Sequence, residues 1–133
     1  MKIYIILYIV LSAILTACGR GIETGGPTGD YQISDPAKNL EAAARNEFKI
    51  MINSNPTTGY HWKLAGELDT KVVEFLSNDY KGNEPVMPGS GGVEIWTFKA
   101  LSAGETEITL GYYPPSNAPA NPQQTVTFTV KIK

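Results

Sequence analysis

The sequence predicts an all-β chain folded as an immunoglobulin-like antiparallel β-sandwich, and three observations predict it. Segment after segment alternates apolar and polar residues with a period of two, so each would bury one face. Gly, Pro, Asn and Ser punctuate the segments, with no strong helix between them. Five aromatic residues, Phe48, Trp62, Trp96, Phe98 and Phe128, fall on the inward faces so defined. Burying each is worth about 1.5–3 kcal/mol relative to exposure. The chain has a single cysteine, so this core must hold the domain without an internal disulfide.

The chain of 133 residues is the length of one domain plus a leader. Lys2 is followed by an apolar run over residues 3–15 and then by Leu15-Thr16-Ala17-Cys18. A charged start, a short apolar stretch and small residues before a cut describe a secretory signal peptide at residues 1–17. The run is short for a membrane span. Residues 18–30, rich in Gly, Thr and Pro, read as a flexible tether, and residues 31–133 as the domain.

Within the domain, residues 31–34 suit a short strand. Residues 40–45 have helical propensity but are too few for a lone helix, so edge strand and helix both stay open. Phe48, Ile50 and Ile52 then share one face, opposed by Glu47, Lys49, Met51 and Asn53. Tyr60, Trp62 and Leu64 oppose His61 and Lys63, and residues 72–76 form a short, mostly apolar strand. Trp96, Phe98 and Ala100 oppose Ile95, Thr97 and Lys99, and Thr106, Ile108, Leu110 and Tyr112 oppose Glu105, Glu107, Thr109 and Gly111. The last run is the clearest, with Val126, Phe128, Val130 and Ile132 against Thr127, Thr129, Lys131 and Lys133.

Three connections stand out. Asn55-Pro56-Thr57-Thr58-Gly59-Tyr60 joins two predicted strands, as a hairpin would. Pro56 fixes φ, Asn55 can bond its own backbone, and Gly59 can take φ > 0. It is a proline-containing turn at least. Two stiff, β-branched hydroxyl residues at its apex, Thr57 and Thr58, also suit a loop that presents hydroxyls to a partner. Residues 77–92 carry Pro85, Pro88 and Gly89-Ser90-Gly91-Gly92, and residues 111–124 carry Pro114-Pro115, Pro119 and Pro122. Long loops stiffened by proline are binding loops or tolerated surface insertions.

Enzyme chemistry finds no foothold. His61 is the only histidine, placed mid-strand, and Cys18 the only cysteine, so neither a triad nor a zinc site can be built, and no cofactor or metal is implied. The Gly89–Gly92 cluster lacks the Lys and Ser/Thr of a phosphate loop and precedes a strand. Without residues 1–17 the chain carries ten basic and thirteen acidic side chains, a balance that argues against nucleic acid as partner. These exclusions leave a binding protein.

Asn55–Tyr60, then Gly89-Ser90-Gly91-Gly92 shortly before Trp96-Thr97-Phe98, resemble the loop motifs of the chagasin-type (amoebiasin-like) inhibitors of papain-like cysteine peptidases. The resemblance covers roughly residues 45–133. It implies an immunoglobulin-like sandwich whose three end loops block the protease cleft, acting as a monomer. The family's third loop usually reads Arg-Pro-Trp after a tyrosine; here Tyr112 and Pro114 are kept, with Tyr113 in place of Arg and Pro115 in place of Trp. The protease-binding residues implied are Asn55, Pro56, Thr57, Thr58, Gly59, Tyr60, Gly89, Ser90, Gly91, Gly92, Tyr113, Pro114 and Pro115. Leu15–Cys18 likewise resembles a bacterial lipobox, which implies a lipidated Cys18 anchoring the protein to a membrane of the cell envelope. The altered third loop keeps a second reading open, a non-inhibitory envelope adhesion or scaffold module that binds another protein or a glycan.

Overall fold

The computed structural model describes residues 32–116 and 118–133. The leader, Cys18, the tether and Tyr31 lie outside the described residues. Seven strands follow one another: β1 (Leu40–Ala42), β2 (Glu47–Ser54), β3 (His61–Leu64), β4 (Val73–Gly82), β5 (Gly92–Ala100), β6 (Gly104–Tyr113) and β7 (Gln124–Ile132). They form a four-stranded sheet in the order β1-β7-β6-β3 and a three-stranded sheet in the order β2-β5-β4. This is the expected sandwich. The period-two pattern selects its inner faces: Ile50, Ile52, Trp96, Phe98 and Ala100 from one sheet meet Trp62, Ile108, Leu110, Phe128 and Val130 from the other. Phe98 and Phe128 are fully enclosed, and Phe48 stacks on Phe98 with ring centroids 5.6 Å apart.

Four segments differ from the reading of the sequence, each for a physical reason. Residues 40–45, open between helix and strand, supply β1, which runs parallel to β7 from Leu40 opposite Val130 to Ala42 opposite Ile132. Six residues cannot stabilise a helix, whereas a ladder onto β7 satisfies their backbone. Ala44 N–H donates to the Lys133 carbonyl at 2.9 Å, and the Lys133 ammonium reaches the Glu41 carboxylate at 2.8 Å, holding that carboxyl below its ordinary range. Residues 32–34 form no strand. Ser34 alone joins the edge of β2, donating its N–H to the Met51 carbonyl and accepting the Met51 N–H on Oγ, before Pro36 turns the chain away.

The expected strand at 72–76 runs on to Gly82, because β5 is long enough to template all of it. A bulge between Phe75 and Ser77 resets the alternation partway, which is why the pattern looks shorter in the sequence. Finally, the turn at 55–60 is not a hairpin. β2 pairs with β5 and β3 pairs with β6, so the segment carries the chain from one sheet to the other.

The two inward tryptophans are satisfied differently. Trp62 Nε1 donates to the Asn53 carbonyl at 2.9 Å, whereas Trp96 Nε1 is buried with no partner among the described residues. Trp62→Phe therefore orphans a carbonyl as well as trimming the core, and Trp96→Phe removes a donor that had no bond to lose. In urea denaturation Trp62→Phe is expected to cost about 1–2 kcal/mol more than Trp96→Phe. Equal losses would contradict the difference in bonding.

Candidate functional site

The strand order delivers three loops to one end. β2 ends and β5 begins at the pair Ser54–Gly92, β6 ends beside the start of β3 at the pair Tyr113–His61, and Tyr112 faces Gln124 at the start of β7. Loop 1 (residues 55–60) therefore bridges the two sheets. Loop 2 (residues 83–91) is the hairpin that caps the three-stranded sheet, and loop 3 (residues after 113 up to 123) is the hairpin that caps the other. Thr57 and Gly91, which a shared cleft would have to receive together, stand on adjoining loops.

Loop 1 folds as a single 3-10 turn, Pro56–Thr58, closed by Gly59 at φ +79°. Asn55 organises it. Its carbonyl accepts the Thr58 N–H at 3.2 Å and the Thr58 hydroxyl at 2.7 Å, and its side-chain Oδ1 accepts the Thr57 hydroxyl at 2.5 Å. The two hydroxyls that the sequence offers to a partner thus donate inside the loop. The Thr58 oxygen also accepts the Tyr60 N–H, at 3.4 Å, so the acceptor capacity left over is both lone pairs of Thr57 and one of Thr58. Both threonines remain exposed.

Asn55 also ties loop 1 to loop 2, through Nδ2 to the Gly89 carbonyl at 3.3 Å. Loop 2 is braced from within by Asn83, whose N–H donates to the Gly91 carbonyl and whose Nδ2 donates to the Ser90 carbonyl. Its glycines are steric requirements. A Cβ on Gly91, at φ +65°, would stand 3.1 Å from the Ser54 carbonyl, and one on Gly92 would collide with the Lys81 carbonyl. Between the loops lies a hollow of about 390 Å³ of mixed polar and apolar lining, with Asn53, Asn55, Asn83, Trp62, Tyr112 and Gln124 among its walls.

Loop 3 closes onto loop 1 from the opposite side. A Cβ placed on Gly59 would lie 2.9 Å from Pro115 Cβ, so the proline occupies the space the glycine leaves. Below them Tyr60 stacks on Tyr112 at 5.2 Å and Tyr112 tilts against Trp62 at 4.9 Å, which continues through the Trp62–Asn53 hydrogen bond into β2. Outside loop 3 runs a groove of about 420 Å³ lined by Gly59, His61, Lys63, Tyr113, Pro114, Pro115 and Ser116. Tyr113 lies back over Gly111, where a Cβ would come within 2.7 Å of its ring.

Two supports lie outside the residues that the sequence marks for binding. Glu94, buried on β5, accepts the Ser54 hydroxyl at 2.6 Å on Oε1 and the Asn78 amide at 3.1 Å on Oε2. It binds the root of loop 1 and the edge strand β4 to the central strand. Parity along β5 gives the signal, since Glu94 shares the inward face with Trp96 and Phe98. Asn83 is the second, and nothing local marks it. No group of three His, Cys, Asp or Glu side chains able to hold a metal ion occurs among the described residues.

Residues 41–132 match the family described as Chagasin family peptidase inhibitor I42. The chain is 34% identical over 97 residues to Amoebiasin-2 of Entamoeba histolytica, covering 71% of this chain and 76% of that protein. To Chagasin of Trypanosoma cruzi it is 29% identical over 97 residues, covering 71% and 86%. Among solved structures it resembles the crystal structure of the cysteine protease inhibitor EhICP2 from Entamoeba histolytica, with TM-score 0.55, 27% identity, and 71% of this chain and 85% of that one covered.

The Gly59–Pro115 contact gives a direct test of the lock between loops 1 and 3. Gly59→Ala should cost about 1–2 kcal/mol in urea denaturation, from the positive φ and the clash together. In a Pro115→Gly background the clash is gone, and the same substitution should cost at least about 0.5 kcal/mol less. Strict additivity would mean the two loops do not press on each other.

Proposed function

The chain belongs to the chagasin family of peptidase inhibitors, and from that membership we propose that it inhibits papain-like cysteine proteases, reversibly and without covalent chemistry, by seating loops 1, 2 and 3 in the active-site cleft. The relatives support the target class, since EhICP2 is a cysteine protease inhibitor. The observation that carries the mechanism is the state of loop 1. A protease cleaves a peptide held extended, with its carbonyl open to attack. Here the Asn55 and Pro56 carbonyls are turned into a helical turn and already accept hydrogen bonds from Thr58 and Gly59. The segment fills space at the cleft and offers no extended bond to cut.

The catalytic pair of such an enzyme is a thiolate beside an imidazolium. The threonine oxygens have their protons committed inside the loop, and the lone pairs left over, two on Thr57 and one on Thr58, can accept from that imidazolium. Loop 2 brings nearly bare backbone at Gly89 and Gly91 to the enzyme's own backbone. The loops are cross-braced by Asn55, Asn83 and Pro115, so docking freezes little new motion. That is how an interface of ordinary size, roughly 1,600 Å², reaches high affinity. Tyr113, Pro114 and Pro115 form the third contact, and the inhibitor works as a monomer held at the cell envelope by lipid on Cys18.

Titration of papain with the protein should abolish activity at one inhibitor per enzyme and leave residues 55–60 uncleaved. Asn55→Ala, which removes the acceptor of the Thr57 hydroxyl and the bond to loop 2, should weaken inhibition at least about tenfold, a change near 1.4 kcal/mol. Absence of inhibition of several papain-like enzymes at micromolar protein would refute the reading. Anchoring is checked separately in a lipoprotein-competent bacterial host. The wild-type protein is expected in the membrane fraction and Cys18→Ser in the soluble fraction, and equal partitioning of the two would rule the anchor out.

A further inference from the structure

We infer that Lys63 is a specificity-determining residue of the inhibitory edge, selecting papain-like proteases that carry a carboxylate on the cleft rim beside loop 3. The inference rests on the inhibitory reading above. Lys63 stands on β3, exposed, with its ammonium over the ring of Tyr113 at 5.6 Å from the centroid. The ring is a fixed support. It lies on Gly111, whose position on β6 is directly opposite Lys63, and any side chain there would meet Tyr113 at 2.7 Å and Pro122 at 3.0 Å. A missing side chain at 111 therefore lets the tyrosine fold back onto the sheet, and the tyrosine in turn holds the lysine beside the mouth of the groove.

Among the described residues no carboxylate lies within 4 Å of the Lys63 ammonium. The lysines that pair with carboxylates there are Lys38, Lys131 and Lys133, far from loop 3 or on the opposite half of the sheet. Alternation and register give the neighbours that share the outer face with Lys63 at the loop end: His61 on β3, Gly111 and Tyr113 on β6, and Thr125 and Thr127 on β7. None is acidic. Glu105 and Glu107, on the same face of β6, lie at its far end, and Glu105 is bonded to Lys131. A cation held over an aromatic face loses less freedom on meeting a carboxylate than a free lysine does. Tyr113 itself, lying flat, contributes its ring as a pedestal, and the charge comes from the adjoining strand.

Rim charges act mainly on association and on the choice of partner. The test is the association rate of wild type, Lys63→Gln and Lys63→Glu with a panel of papain-like proteases whose rims differ in charge beside loop 3. Against acidic rims Lys63→Gln should slow association about threefold and Lys63→Glu about tenfold or more, and against basic rims Lys63→Glu should speed it. The differences should close as salt rises from about 0.05 M to about 1 M. A Tyr113→Ala background should erase the effect of Lys63→Gln, while a Tyr113→Phe background should preserve it. Lys63 is exposed, so unchanged thermal unfolding of its variants confirms that the rates report on contact. If wild type inhibits the panel but both Lys63 variants associate with every member at the wild-type rate in low salt, the inference is overturned alone. If wild type inhibits no member, the inhibitory reading and this one fall together.

Discussion

The loop end of this molecule depends on one constraint: β2 and β3 are neighbours in sequence but belong to different sheets. Six residues must span the gap between the layers and still leave both strands in register. The 3-10 turn does the spanning, and the Trp62 indole fixes it, bonding the end of β2 through Asn53 while packing on Tyr112 of the neighbouring strand β6. Tyr60 extends that aromatic column to the loop itself. Such pairs contribute about 0.5–1.5 kcal/mol each beyond their buried area. The column is thus a modest energy applied at the place where the two layers could most easily shift.

Loops 2 and 3 inherit their positions from that crossing. Each caps one sheet, and each leans on loop 1, one through Asn55 and Gly91 and the other through Pro115 and Gly59. Side chains are absent where backbones or rings must touch, at Gly59, Gly91, Gly92 and Gly111, and polar groups sit where bare carbonyls need donors. Among the described residues the buried Glu94 is the deepest polar member of this set. Its two oxygens accept from two neighbouring strands, so the carboxylate is solvated by the protein in place of water.

How much of this the sequence reveals follows from the range of each interaction. Alternation is local, so the inward faces of β2, β3, β5, β6 and β7 can be read directly. Turn chemistry is also local, but the same Asn, Pro and Gly serve a hairpin or a crossing, so residues 55–60 cannot disclose that their strands pair elsewhere. β1 is ambiguous because its partner, β7, lies some ninety positions away. β4 reads short because an edge strand exposed on both faces has little alternation, and the bulge at Leu76 shifts what there is. Thr57 and Thr58 stand out as unusual, while the direction of their protons depends on Asn55 in a folded turn. The support that Gly111 gives Tyr113 is a relation between a gap and a ring, and no spacing rule encodes it.

The parallel pairing of β1 with β7 also bears on how the chain acquires its shape. The first and last described strands are sheet neighbours, and β7 is also the partner that completes the hairpin of loop 3. A ribosome must therefore deliver everything through β7 before the four-stranded layer can assemble. Sandwiches with such non-local pairing fold in roughly milliseconds to seconds, against microseconds to milliseconds for helical bundles. Until β7 has emerged, β1 has no strand to pair with and loop 3 has no second strand to close on, so the three-loop end is complete only when that strand docks.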